Sequence, residues 1–250
     1  MTVKSSVKMV GRTLDLFEAF NAAKKPLSLT ALAKAMGAPV SSCHGLVHTL
    51  RQRGYLYSVS FRQGSYPTRR LLDLAQSIVK HDPLLERLQP LLDGLNDSSG
   101  ETVILGKRQK ECVVYLEVVE GIHTVRYVAQ AGDQKPFHSS AIGKATLSRL
   151  NADEFRQFLK SDPLQSITSN TISDPTLLAE EIELGQKQGF FVTRGENVID
   201  VLAVSVPFAF NDEVYAIAIA GPMNRMKPQL PALIELLRDA QDALDENSVS

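Results

Sequence analysis

Residues 28–56, SLTALAKAMGAPVSSCHGLVHTLRQRGYL, hold two short helical patterns on either side of Gly37. Ser28 can cap the first helix, because its side-chain oxygen can accept a hydrogen bond from a free N–H of the first turn. Gly37 suits a tight turn between two helices, which often needs a positive φ. Pro39 suits the first turn of the second helix, where its missing N–H costs little. The stretch therefore predicts a helix-turn-helix.

The second helix is expected to turn a small, polar face away from the core. At about 100° per residue, its apolar side carries Cys43, Leu46, Val47 and Leu50. In a helix-turn-helix the second helix enters the major groove of DNA, and its N-terminal residues meet the base edges. We therefore predict base contacts from Ser41, Ser42, His44 and His48. Phosphate contacts are predicted for Lys34, Arg51 and Arg62.

His44 and His48 are also spaced as two metal ligands one helical turn apart. A metal site would need a third ligand, and a metalloprotease helix of the HExxH type would need a Glu between the histidines. The sequence around them supplies neither. We therefore predict no metal site and leave two interpretations of these histidines open, DNA contacts or ordinary surface residues.

The flanking sequence extends this pattern to a winged helix-turn-helix. Apolar residues at helical spacing predict a first helix over Lys8–Ala22. Residues 55–60 and 65–67 are rich in strand-forming residues and are joined by a Gly-containing turn, which predicts a hairpin. Arg62 would lie at the tip of this wing, where a cation can reach a phosphate or the minor groove. Three helices and a hairpin also form structural caps in enzymes, so the pattern alone is not decisive.

Charge is distributed unevenly along the 250 residues. Residues 1–75 contain eleven Lys/Arg and three Asp/Glu, a net charge of +8, whereas the remainder carries a net charge of −9. A basic segment attracts a polyanion such as DNA, because binding releases the counterions of the phosphates. No window approaches the roughly 18 apolar residues of a membrane span, and we see no signal peptide. The two isolated cysteines suit a reducing cytoplasm.

The remaining two thirds of the chain mix both periodicities. We predict a linker helix over residues 69–80 and a leucine-rich helix that starts at Pro83 and packs on its own domain or on a partner chain. Strands are predicted over residues 102–105, 112–120, 124–129, 190–193, 201–208 and 214–220. Helices are predicted over residues 141–150, 153–160, 175–188 and 228–247. A mostly antiparallel sheet covered by helices is an α+β module. The expected division is a winged helix-turn-helix at 1–68, the linker helix at 69–80 and a third part at 81–250.

Three stretches in this order and spacing resemble the IclR-type bacterial transcription regulators. They are residues 29–56, the stretch PFHSSAIGKATLS from Pro136, and GFFVTRGENVIDVLAVSVPF followed by AIAIAGPMNRM. The resemblance covers nearly the whole chain and implies a GAF-like effector-binding domain and a homodimer or dimer of dimers. Two positions depart from the family pattern. Gly45 stands where an Arg is common in the recognition helix, and Thr68 stands where a Gly is common after the wing.

The resemblance also implies a pocket for a small organic acid. The positions that match the family's pocket are Tyr127, Ala141, Ile142, Gly143, Thr193, Val201, Ala203, Ala218 and Ala220. Some relatives carry polar Ser or Cys where this chain has the last three alanines, so this pocket should be more apolar. We therefore expect a carboxylic acid with an apolar or aromatic body, its acid group near residues 141–143. The alternative is that the alanines form ordinary sheet core without a cavity.

Motifs for catalysis are missing from the sequence. It contains neither a GxSxG elbow nor a GxGxxG after a strand, and AIGKA lacks the preceding Gly and following Ser/Thr of a phosphate-binding loop. Glu196 and Asp200 lie four residues apart, but their stretch fits a polar loop equally well. We predict a regulator of transcription with no catalytic residue and no cofactor. The alternative is a small-molecule enzyme of α+β fold with an N-terminal helical cap.

Overall fold

The computed structural model describes residues 7–60 and 64–246, and for residues 245 and 246 it describes the backbone only. The chain divides into two compact units between Glu86 and Arg87. Its helices are α1 (Lys8–Ala23), α2 (Leu29–Ala35), α3 (Val40–Gln52), α4 (Arg70–Lys80), α5 (Pro83–Ser99), α6 (Ala141–Leu147), α7 (Ala152–Ser161), α8 (Pro175–Gln188) and α9 (Met223–Glu246). Its strands are β1 (Leu56–Ser60), β2 (Gly64–Pro67), β3 (Thr102–Arg108), β4 (Val113–Val119), β5 (Gln134–Lys135), β6 (Phe191–Arg194), β7 (Val201–Phe210) and β8 (Glu213–Pro222).

The first unit confirms the winged helix-turn-helix. Ser28 caps α2 by accepting a hydrogen bond from the N–H of Ala31 at 3.2 Å. Gly37 has φ +56°, the left-handed conformation that the turn between α2 and α3 requires. Strands β1 and β2 pair antiparallel, with Leu56 opposite Pro67. The wing tip with Arg62 lies outside the described residues. The core of this unit includes Leu16, Phe20, Leu32, Leu46, Val47 and Leu50.

The second unit is built on one antiparallel sheet in the order β5-β4-β3-β8-β7-β6. Alternate side chains of a strand point to opposite faces of a sheet. One face, with Ile104, Ala216 and Ala218, packs against Ile142 and Ala145 of α6. The other face carries buried side chains such as Val103 and Ile217, and α9 packs on β7 and β8. This architecture confirms the predicted α+β sheet with helices.

Helix α5 shows how the predicted leucine-rich helix is used. Leu88, Leu92 and Leu95 are at most 4% exposed, so these side chains belong to the core of the chain. Burial of such side chains contributes about 1.5–3 kcal/mol each. Of the two alternatives open from the sequence, packing on its own domain describes these three leucines. Within the described residues, no helix is long and apolar enough to cross a membrane.

Two predicted elements are wrong or misplaced. Residues 124–129 are not a strand, because side chains rather than a neighbouring strand hold their backbone: Thr102 Oγ1 donates to the Tyr127 carbonyl at 2.5 Å, and an Arg225 N–H donates to the Val125 carbonyl at 2.9 Å. Helix α9 begins at Met223 instead of Pro228. Proline usually signals the first turn of a helix, but the fully buried Met226 anchors an earlier turn by packing.

Candidate DNA-binding face and ligand cavity

Helix α3 presents a solvent-exposed face along its whole length. Its buried side chains are Cys43, Leu46, Val47 and Leu50, as the periodicity predicts. The opposite side exposes Ser41, His44, Gly45 and His48. The rings of His44 and His48 lie parallel, with centroids 6.4 Å apart. Gly45 has no atom within 4 Å of where a Cβ would lie, so the middle of this face is open.

The flanks of this face are tied to neighbouring elements of the first unit. Ser42 accepts a hydrogen bond from Arg12 Nη1 of α1 at 3.1 Å. On the other flank, Arg51 Nη2 donates to Ser65 Oγ of β2 at 2.7 Å. Ser42 and Arg51 therefore hold α3 against the first helix and the wing. Arg51 still has donors left for a phosphate, because a guanidinium carries five N–H groups.

The surroundings of α3 are uniformly basic. Residues 19–72 contain eight Lys/Arg and no Asp/Glu. Lys34, in the last turn of α2, is exposed and makes no ion pair among those found in the described chain. The described residues contain no group of three or more His, Cys, Asp or Glu that could hold a metal ion. The basic surroundings of α3 therefore suit an anionic partner.

The second unit contains a cavity between α6 and the sheet. Its lining consists of Ile104, Tyr115, Tyr127, Ser139, Ser140, Ala141, Ile142, Thr193, Glu196, Asn197, Val198, Val201, Ala203, Ala218 and Ala220. The space between these residues, including the part open to solvent, is about 410 Å³. The second unit therefore contains a cavity in the size range of small-molecule sites.

Strand register explains the apolar floor of the cavity. Thr193, Ala203 and Ala220 lie side by side on β6, β7 and β8. Two residues before Ala220 on β8, Ala218 lies beside Ile104 of β3. Because the alanines end at Cβ, they leave room above the sheet that larger side chains would fill. This explains why the stretch of small residues accompanies a cavity and does not form solid core.

Helix α6 closes the cavity from above. Ser140 caps it by accepting a hydrogen bond from the N–H of Gly143 at 3.1 Å and donates to the Pro136 carbonyl at 2.8 Å. Gly143 itself is not among the lining residues, and a Cβ there would lie 2.2 Å from the Phe137 carbonyl oxygen. Gly143 therefore permits close packing of the helix, and its N–H is already occupied.

The structure brings eight of the nine residues predicted for the pocket to this cavity, all except Gly143. Sequence reasoning missed Ile104, Tyr115, Ser139, Ser140, Glu196, Asn197 and Val198 as lining residues. Ser139 and Ser140 directly precede Ala141, so their position beside the predicted residues was the available signal. Tyr115 and Ile104 carried no signal, because their neighbours in the cavity are distant in sequence.

A buried ion pair lies beside the cavity. Lys144 of α6 has a side chain with no exposed surface, and its Nζ lies 2.9 and 2.8 Å from the two carboxylate oxygens of Glu196. Only Oε1 receives a well-directed hydrogen bond, so Oε2 has a close cation but no aligned donor. Glu181 of α8 shares the ammonium at 3.3 Å. Burial raises the pKa of Glu196, and the neighbouring ammonium opposes that shift.

Two phenols stand on the other side of the cavity. Tyr115 of β4 is separated from Thr193 of β6 by strands β3, β8 and β7, and the Tyr127 hydroxyl lies beside that of Tyr115. Burial, and to a smaller extent the Tyr127 hydroxyl, raises the pKa of Tyr115. Tyr115 therefore stays protonated at neutral pH and remains a hydrogen-bond donor.

Comparison with known proteins agrees with both halves of this description. Residues 9–60 match the family model described as the IclR helix-turn-helix domain, and residues 76–246 match the model for the C-terminal part of the bacterial transcriptional regulator IclR. The HTH-type transcriptional regulator KipR of Bacillus subtilis is 30% identical over 222 residues, which cover 87% of this chain and 88% of KipR. The transcriptional repressor IclR of Escherichia coli is 28% identical over 225 residues, which cover 88% and 82% of the two chains.

Among solved structures, an IclR homologue from Microbacterium hydrocarbonoxydans complexed with 4-hydroxybenzoate has the same fold. The TM-score is 0.75 at 21% identity, with 95% of this chain and 97% of that chain covered. The two family models together account for the winged helix-turn-helix and for the unit that contains the cavity. The chain therefore belongs to the IclR family of bacterial transcriptional regulators.

Proposed function

We propose that this regulator binds a pseudo-palindromic DNA operator as a homodimer or dimer of dimers and responds to a small carboxylic acid. The observation that carries the DNA-binding half is the exposed face of α3, which stands in a segment without a single carboxylate. We propose base contacts for Ser41, His44 and His48, and phosphate contacts for Lys34 and Arg51. Ser42, which accepts a hydrogen bond from Arg12, remains a proposed base contact. Arg62 remains a proposed phosphate contact.

The DNA proposal is tested by the salt dependence of binding. Fluorescence anisotropy of the full chain on duplex DNA from upstream of its own gene, between 50 and 200 mM salt, should show affinity falling steeply. For about eight neutralised phosphates the slope of log K against log salt is about −7. Lys34→Ala should reduce that slope, and Lys110→Ala, an exposed lysine of the second unit, should not. A flat response, or equal binding to a scrambled duplex, would contradict the proposal.

The homodimer proposal rests on apolar surface in the first unit. Helix α4 buries none of its residues and leaves Leu72, Leu74, Ile78 and Val79 between 45% and 64% exposed. A contiguous apolar face of this kind marks an association site, and a two-fold dimer supplies the same face twice. Ile78→Glu should shift the mass in light scattering from dimer to monomer. The control Leu177→Glu, at a similarly exposed leucine of α8, should leave the mass unchanged.

The effector proposal rests on the cavity with its alanine floor. Such a floor favours an apolar or aromatic body and penalises a tiny hydrated acid, which would lose water without gaining polar partners. The 4-hydroxybenzoate complex of the Microbacterium protein shows that this fold accommodates an aromatic acid and supports the proposed class. Calorimetry on the full chain should give tighter binding for benzoates than for glyoxylate or pyruvate. The reverse order would contradict the proposed class.

Regulation follows from linkage between the two halves. A ligand that prefers one arrangement of the effector domains shifts the spacing of the paired winged helices, and with it the operator affinity. We propose residues 1–68 for DNA binding, 69–80 as linker and 81–250 for effector binding and oligomerisation. We place the protein in the cytoplasm, where thiols such as Cys43 and Cys112 stay reduced. We propose no catalytic role, and turnover of a ligand by the full chain would favour the enzyme alternative.

A further inference from the structure

The polar side chains of the cavity are divided between its two sides. Thr193, Glu196 and Asn197 come from β6 and the loop that follows it, and Asn197 Nδ2 donates to Ser139 Oγ at 3.1 Å. Tyr115 lies beyond three intervening strands, with the Tyr127 hydroxyl beside it. Between the two sides the floor is apolar, with alanines on β7 and β8 and Ile104 on β3. A ligand that fills the cavity therefore meets polar groups at both ends.

The charges at the two ends differ. Among the described lining residues, Glu196 is the charged side chain and no Lys or Arg is present. The Lys144 ammonium beside Glu196 has no exposed surface and is already shared by Glu196 and Glu181. A ligand in the cavity therefore meets the Glu196 carboxylate, and no cation of the described lining offsets it. The tyrosine end offers phenolic O–H donors, which suit a carboxylate.

Glu196 also has unused hydrogen-bonding capacity. The residue is 7% exposed, and its buried Oε2 receives no aligned hydrogen bond from the described chain. The Thr193 hydroxyl, 5% exposed, has no hydrogen-bond partner within the described residues either. Each oxygen of a carboxylate can accept more than one hydrogen bond, so a ligand hydroxyl can add to the contact that Oε2 makes with the Lys144 ammonium. This end of the cavity is therefore matched to a neutral hydrogen-bond donor.

We infer that Glu196 determines effector specificity, selecting a monocarboxylic acid with a neutral hydrogen-bond donor at its far end and excluding a second carboxylate. The carboxylate of such a ligand lies toward Tyr115 and Tyr127, and its hydroxyl donates at the Glu196 end. This orientation replaces the sequence-based expectation of an acid group near residues 141–143, where the Gly143 N–H already binds Ser140. This inference rests on the proposed acid effector and adds its polarity and orientation.

Three probes of one shape test the inference by calorimetry on the full wild-type chain. 4-Hydroxybenzoate, 4-methylbenzoate and terephthalate share the benzoate body and differ only in the para group, which is a donor, an apolar group or a second anion. We expect the hydroxyl compound to bind at least tenfold more tightly than the methyl compound, and terephthalate to bind more weakly than both. A methyl compound equal to or tighter than the hydroxyl compound, or terephthalate as the tightest ligand, would overturn the inference while the acid class stands. If none of the three binds at millimolar concentration, the aromatic-acid class itself fails.

Two variants separate Glu196 from its neighbours. Glu196→Gln removes the charge that repels a second carboxylate, so terephthalate should gain at least tenfold in affinity relative to 4-methylbenzoate. Glu181→Gln changes a carboxylate that contacts the same ammonium but does not line the cavity. It should leave the order of the three ligands unchanged. An altered order in Glu181→Gln, or an unaltered order in a folded Glu196→Gln protein, would contradict the role of Glu196. The wild-type ligand series decides the matter if Glu196→Gln does not fold.

Discussion

Replacing Lys144 by Met should strongly destabilise the second unit. The Lys144 side chain is fully buried, and its loss leaves the Glu196 carboxylate, only 8% exposed, without a counter-charge. Removing one partner of a buried pair costs about 3–5 kcal/mol. For a unit of this size, about 2–4 °C is lost per kcal/mol. We therefore expect a fall of about 10 °C in the midpoint measured by calorimetry at pH 7.5.

The double variant Lys144→Met/Glu196→Gln identifies the cause of that loss. If the uncompensated charge is responsible, a neutral Gln at position 196 should restore most of the stability, since a buried pair can be replaced by neutral residues at little cost. Glu181→Gln is the control and should change the stability by less than about 1 kcal/mol, because that side chain is 30% exposed. If single and double variants are equally unstable, packing and not charge accounts for the loss, and the reasoning fails.

The stability of the single variant Lys144→Met should depend on pH in a distinctive way. The pKa of Glu196 is raised in the folded protein above its ordinary 4.5. A carboxyl with a raised folded pKa contributes stability that is present below its unfolded pKa and is lost as pH rises through the folded pKa. Without Lys144 the pKa rises further. The difference in midpoint between wild type and Lys144→Met should therefore narrow as pH falls from 8 to 5, and a constant difference would contradict the argument.

Three further predictions concern the turn, the cavity and the wing. In urea unfolding, Gly37→Ala should lower the free energy of unfolding by about 1–2 kcal/mol, because φ is +56° at that position. Gly45→Ala, inside α3 with open space around it, should raise the free energy of unfolding by up to about 1 kcal/mol. Equal losses of stability in the two variants would contradict this. Ala218→Leu should abolish benzoate binding in calorimetry and leave DNA affinity unchanged, and retained binding would contradict the cavity's role. Arg51→Ala should lower the salt slope of DNA binding by about one per protomer. Ser65→Ala, which removes only the partner of Arg51, should leave that slope unchanged.

The sequence alone determined the architecture of the first unit. Its signals are local: apolar spacing in α3, a serine that can cap α2, and a glycine at a turn that needs positive φ. Each signal depends on residues within a few positions of one another, so each can be recognised without knowledge of the tertiary contacts. The family pattern extended this to the cavity, where eight of nine predicted positions meet. The ninth, Gly143, is small for a different reason, since it packs against the Phe137 main chain.

The electrostatics of the cavity could not be predicted without the tertiary structure. A lysine in a short helix is expected at the surface. The carboxylates that contact Lys144 are 37 and 52 positions away in the sequence, so the residues next to Lys144 do not predict its burial. Residues 124–129 have strand-like composition, yet Thr102 and Arg225 hold their backbone in place of a neighbouring strand. Both outcomes depend on groups brought together from distant parts of the chain. Burial and charge pairing depend on tertiary contacts, so the local spacing of residues does not predict them.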